Sequence, residues 1–219
     1  MRVLFCFGQT SKRPIRLTVE ISHLTALFTS HRLPVMTTNI LKAFKALFTK
    51  PSVHLVIGPT GVGKSTYAKK LAQQEQLVRF SIDEWMVTLF GKDRPVDADY
   101  LWYKDRIDRA TEKIWNLSTQ ILALGMGSVL EIGLTQKADR EAFYQRVISS
   151  HGHLKLHVLE APVEVRWDRV THRNNGQGET FSMEVTRGMF DFVEGMWEPP
   201  EEAELERWNG RVISTYPSA

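Results

Sequence analysis

The eight residues Gly58-Pro59-Thr60-Gly61-Val62-Gly63-Lys64-Ser65 fit the pattern G-x-x-x-x-G-K-[ST]. Each residue type has a job in phosphate chemistry. Glycines let backbone N–H groups turn inward around an anion without Cβ clashes. A helix beginning near Gly63 would point its positive dipole end at the same anion. Lys64, expected as a surface-loop cation, would reach β and γ oxygens, and Ser65 would offer a hydroxyl to Mg²⁺. An apolar run, Val53–Ile57, precedes the motif and an Ala/Lys/Leu-rich stretch follows it, as the pattern demands. A nucleotide-phosphate site is therefore expected here.

Two acids and three arginines extend that chemistry. Asp83 lies 25 residues after Gly58, at the end of an alternating run through Val78, Phe80 and Ile82. A carboxylate at the carboxyl end of a strand can take the proton of an acceptor hydroxyl attacking a γ-phosphorus. Alternatively, Asp83 caps a helix starting at Glu84. Glu131 interrupts Val129-Leu130-Glu131-Ile132, where a strand buried on both faces should be apolar. It would hold a Mg²⁺-bound water, or else pair with a neighbouring cation or mark an early strand end. Arg166, Arg169 and Arg173 share a helix face by their spacing of three and four. With Asn174-Asn175-Gly176-Gln177-Gly178 behind them as a hinge, they suit a lid that closes on ATP. The alternative is a solvated face paired with Glu164 and Asp168. Arg106 and Arg109 either face an acceptor or lie on a solvated helix face. Trp85, Trp102 and Tyr103 read as core. His151, His153 and His157 alternate, but nothing completes a metal set.

The elements that must position these groups alternate in type. Strands are expected at Val53–Ile57, 78–83, Ser128–Leu134, Leu154–Leu159 and Arg211–Ser214. Helices are expected at Ile40–Phe48, Lys64–Gln74, 98–124, Gln136–Ser149, after Pro162, and at 183–197. That order argues for βαβ units and a parallel sheet.

The 219 residues are 42% hydrophobic and 24% charged, the usage of a globular chain. One cysteine, Cys6, excludes a disulfide framework and points to a reducing, cytoplasmic compartment. Five of the 28 basic groups but one of the 25 acids lie in residues 1–35, so the remainder is nearly neutral. That weighs against a long grip on a nucleic-acid backbone. The Val3–Phe7 run is too short to span a membrane. Residues 1–35 are basic, rich in Ser and Thr and aperiodic. They read as a disordered arm or a mis-set start, with a transit peptide the third reading, and 36–219 as the functional domain.

GTPase signatures are missing: D-x-x-G is absent, and Gln136-Lys137-Ala138-Asp139 carries Gln where N-K-x-D needs Asn. The ABC-type signature is missing too, and the chain after the loop is short for a motor ATPase. Small kinase architecture is what is left.

Gly58–Ser65, Phe80–Met86, Val129–Leu134 and Glu160–Arg166 together resemble the small P-loop kinases of the zeta-toxin, chloramphenicol-phosphotransferase and polynucleotide-kinase group, and in particular bacterial AAA family ATP-binding proteins. The resemblance spans about Val53 to Pro200. It implies an α/β P-loop NTPase fold, with a five-stranded parallel sheet of order 2-3-1-4-5, flanking helices and a helical lid. It implies transfer of the ATP γ-phosphate to a hydroxyl. It carries the phosphate loop onto Gly58 through Thr66, the base onto Asp83 and the lid arginines onto Arg166, Arg169 and Arg173. A small-molecule acceptor leads. A 5′-hydroxyl nucleic-acid end and an ATP-driven switch without an acceptor are the alternatives. No membrane or protein partner is expected.

Overall fold

The computed structural model describes residues 2–5, 17–20, 51–176 and 184–216. The chain divides into two units, Met1–Thr49 and Lys50–Ala219. In the first, β1 (Arg2–Phe5) pairs antiparallel with β2 (Leu17–Glu20). The rest of that unit, including the expected helix at Ile40–Phe48 and most of the expected arm, lies outside the described residues.

The second unit opens with β3 (Ser52–Ile57), a strand buried along its whole length. It continues through α1 (Lys64–Glu75), β4 (Val78–Ser81), α2 (Ile82–Phe90), α3 (Tyr100–Ala123), β5 (Ser128–Glu131) and α4 (Lys137–Ser149). Then come β6 (His153–Glu160), α5 (Val163–Gly176), α6 (Arg187–Met196), α7 (Glu202–Arg207) and β7 (Arg211–Ser214). The five strands run β4-β5-β3-β6-β7, all parallel. Counted within this unit the order is 2-3-1-4-5, as the resemblance implies.

Alternation along the central strand divides the core into two layers. Val53, Leu55 and Ile57 join Leu130, Leu156 and Val158 in a cluster closed by Ala110, Ile114 and Trp115 of α3 and Phe143, Tyr144 and Val147 of α4. Val56, Val129 and Leu159 pack with Val62 and Ala68 on the α1 side. The phosphate loop thus leaves a strand clamped on both faces, which holds its ends in place.

Several boundaries move. The second strand stops at Ser81, not Asp83. The Ser81 hydroxyl accepts the Glu84 N–H, and Ile82 buries itself in the first helical turn. Asp83 is therefore not the cap. β5 ends at Glu131, short of Leu134, and Gly133 then takes a left-handed φ of 69°. α5 runs through Gly176, so Asn174 and Asn175 are helical rather than hinge. Gln177 and Gly178 lie outside the described residues. Asn174 also clamps Val185 through both its amide atoms, at 2.9 and 3.2 Å.

Candidate active site

The loop between β3 and α1 is shaped by close backbone approach. Gly61 sits at φ 78°, and a Cβ there would meet the Arg166 carbonyl oxygen at 2.5 Å. Gly58 faces the Leu159 carbonyl oxygen at 2.6 Å in the same sense. The loop is thus packed against the end of β6 and the start of α5. Gly63 forms the N-cap of α1, with no side chain capping the helix and no acid in its first turn. The first N–H groups of a twelve-residue helix are left for an anion.

Lys64 is partly buried, not the surface cation expected. Its ammonium donates to the carbonyls of Gly58 and Pro59 at 2.8 and 2.9 Å. Burial pushes its pKa down, the charges of Asp83 and Glu131 oppose that, and Arg166 and Arg173 add to it. Two acids and two arginines expected from the sequence thus act electrostatically on one lysine.

Glu131 is 5% exposed at the carboxyl end of β5. Burial raises its pKa, while Arg79 and a hydrogen bond from Ser65 lower it. Arg79 Nε lies 2.5 Å from Glu131 Oε1. Two of the alternatives for Glu131 are present together: it pairs with a neighbouring cation, and its strand ends here. Ser65 hydroxyl and Glu131 carboxylate form an oxygen set of the kind a hard divalent cation prefers, so these residues fit Mg²⁺.

Asp83 is exposed in the first turn of α2, just past β4. Its charge acts on both Lys64 and Arg173. Arg173 is partly buried, burial lowers its pKa, and its Nε has no hydrogen-bond partner among the described residues.

The other two arginines of the row are occupied by the protein. Arg166 grips Glu194 of α6 with two bonds of 2.6 Å and reaches the Thr60 carbonyl at 3.2 Å. Arg169 binds the Thr215 carbonyl at 2.7 Å and its hydroxyl at 3.1 Å, and that hydroxyl donates to Val62 at 2.8 Å. These two brace the loop from α5. Neither pairs with Glu164 or Asp168, so these two do not form the solvated face that was the alternative.

Arg106 lies 3.9 Å over the Trp102 ring, and Arg109 pairs with Asp105. Trp85 packs edge-on against Phe80 at the core. His157 is buried and bonded to His54 and Tyr67, apart from His151 and His153. No metal-binding cluster of His, Cys, Asp and Glu occurs among the described residues. Sequence reasoning missed Arg79. Its signal was a charge within the alternating run Val78–Ile82 of an edge strand.

A profile described as an AAA domain matches residues 53–195, well over half of the chain. This protein belongs to that family. A Chloroflexus aurantiacus protein assigned as a kinase superposes with a TM-score of 0.59 at 18% identity, covering 76% of this chain and 88% of that one. Kti12 of Chaetomium thermophilum, solved with ADP-AlF3, gives 0.56 at 15%, covering 74% and 89%. APS kinase CysC of Mycobacterium tuberculosis gives 0.51 at 11%, covering 77% and 91%. The AAA domain of this chain thus has the fold of the small P-loop kinases. No helix among the described residues is long and apolar enough to cross a membrane.

Proposed function

We propose that the protein is an ATP-dependent phosphotransferase that moves the γ-phosphate to a hydroxyl of a small-molecule acceptor. The observation that carries the reading is the place of Asp83. It stands beyond the carboxyl end of β4, where its charge acts on both the loop lysine and Arg173. A group that only stabilised the helix would not need to be there, since Ser81 already caps it.

In this reading the Gly58–Thr66 loop and the α1 N-terminus hold the phosphates. The acceptor oxygen forms a bond to the γ-phosphorus while the β–γ bridging bond breaks and ADP leaves. Asp83 accepts the hydroxyl proton. Lys64 and Arg173 supply positive charge to the transferring group. Arg169 and Arg166 keep the loop in shape from α5. Ser65 and Glu131 would hold Mg²⁺, which would supply positive charge against the phosphates. The near-neutral balance outside residues 1–35 favours a compact acceptor over a nucleic-acid end.

The test is phosphotransfer read by mass spectrometry. Protein, Mg²⁺ and ATP meet a pooled panel of metabolites, aminoglycosides, phenicols, nucleotide sugars and 5′-hydroxyl oligonucleotides. A product heavier by one phosphoryl group is expected. Asp83→Asn should still bind ATP and lose about 10²- to 10⁴-fold in rate, the weight of a general base. ADP formed equally by both proteins, with no phosphorylated product, would instead mark a switch ATPase. Phosphorylated oligonucleotides alone would move the acceptor to nucleic acid.

A further inference from the structure

Arg79 sits in β4, the edge strand of the sheet, with its side chain 13% exposed. The register places it opposite Val129, on the sheet face that packs against α1, and places Glu131 opposite Ser81 on the same face. Its Nε donates to Oε1 of Glu131 at 2.5 Å. Its Nη1 donates to both oxygens of Glu84, at 2.9 and 3.1 Å. The Ser65 hydroxyl helps lower the pKa of Glu131, and Glu84 adjoins Asp83 in the first turn of α2.

The way this guanidinium is used differs from its neighbours. Arg140 puts two nitrogens on the two oxygens of Glu204, and Arg166 does the same with Glu194. That forked geometry is the strong one for stability. Arg79 divides its fork between carboxylates of two elements, Glu131 on β5 and Glu84 on α2. Its buried Nη2 finds no partner among the described residues. A pair serving stability alone would not leave that donor unsatisfied.

We propose that Arg79 is a positioning residue of the phosphoryl-transfer site. It aims Glu131 at Ser65 while holding the first turn of α2, so that the metal side and the Asp83 side of the site keep one fixed relation. The proposal rests on the phosphotransferase reading.

The experiment uses the full chain with Arg79→Gln, Arg79→Lys and Glu84→Gln. ATP binding is measured by calorimetry across a Mg²⁺ series, and ADP formation is followed in parallel. For Arg79→Gln, binding without Mg²⁺ should stay near the parent value. The Mg²⁺ concentration that half-saturates the enhancement should rise about 10- to 100-fold, as when an outer partner of a metal-side group is lost. Arg79→Lys restores charge but not the divided fork and should fall between. Glu84→Gln is exposed and expected to fold. It should keep the Mg²⁺ dependence and lose about three- to tenfold in turnover at unchanged KM for ATP, from looser placement of α2.

A folded Arg79→Gln with the parent's Mg²⁺ dependence overturns the proposal. If Arg79→Gln does not fold, parent-like Mg²⁺ dependence in Arg79→Lys overturns it. Parent turnover in Glu84→Gln removes the link to α2 and overturns it as well. Absence of any phosphorylated acceptor would sink the phosphotransferase reading instead, because the Mg²⁺ series is read without an acceptor.

Discussion

Lys64 shows how little of a residue's chemistry is carried by its type. The motif asks for a cation; the fold makes it a partly buried one, held on two carbonyls and surrounded by two acids and two arginines. Lys64→Ala should abolish phosphotransfer with little change in thermal melting, since the ammonium contacts only loop carbonyls. Full activity in that variant would contradict the loop assignment. Gly61 is the stricter position. Its left-handed φ and its 2.5 Å approach to the Arg166 carbonyl leave no room for a methyl group. Gly61→Ala should push the loop off α5, weaken ATP binding at least tenfold and cost about 1–3 kcal/mol of stability. Calorimetry and denaturant melts would check both, and unchanged ATP affinity would show that the loop's packing on α5 is dispensable.

Elements act here by fastening to one another. α5 carries Arg166 to α6 and to Thr60, and Arg169 to Thr215 beyond β7. Its last turn holds Val185 through Asn174. The stretch expected to bend is thus tied at one end. Asn174→Ala removes both bonds and should loosen the start of α6. The expected outcome is faster amide exchange at Val185 and nearby positions, with global stability reduced by about 1 kcal/mol. Protection equal to the parent would show that other contacts hold the segment.

The domain as a whole should lose stability to acid in two stages. His54 and His157 lie buried against each other at 3.1 Å, in a chain from Ser52 to Tyr67. Burial, then neighbouring charges, lowers His54 to about 3 and His157 to about 4. The unfolded chain therefore binds protons below its ordinary histidine pKa of about 6.5 that the native state refuses. Stability should fall by about 2 kcal/mol per histidine from pH 7 to pH 5. His157→Phe should flatten that slope in urea melts, and an unchanged slope would exclude the pair as its cause. Glu204 adds the second stage. Burial pushes its pKa up, but hydrogen bonds from Arg140 and Tyr144 outweigh this and hold it low. Its stabilisation is lost only as pH falls through that lowered value. Glu204→Gln leaves the fully buried Arg140 without its counter-charge and should cost about 3–5 kcal/mol. A loss below 1 kcal/mol would show that the pair is replaceable.

What was legible in the residues alone was local. The phosphate loop needs eight consecutive residues, and the strand–helix alternation needs periods of two and 3.6, so both can be read along the chain. Asp83 stands out as a carboxylate at the end of an alternating run, and Glu131 as one that interrupts an apolar run. The row Arg166, Arg169 and Arg173 stands out as a pattern, but the pattern does not sort its members. Only folding sets Glu194 and Thr215 against the first two and leaves Arg173 near Asp83. Ser81 was passed over as a cap because the alternation of Val78, Phe80 and Ile82 runs straight through it. Arg79 went unread for a related reason. Its partners are 52 residues away on the next strand and five away on a helix, and a period along one strand says nothing about which charge lies across the sheet. Local chemistry follows from residue order; the pairing of charges follows from strand register and helix docking, which long-range burial sets.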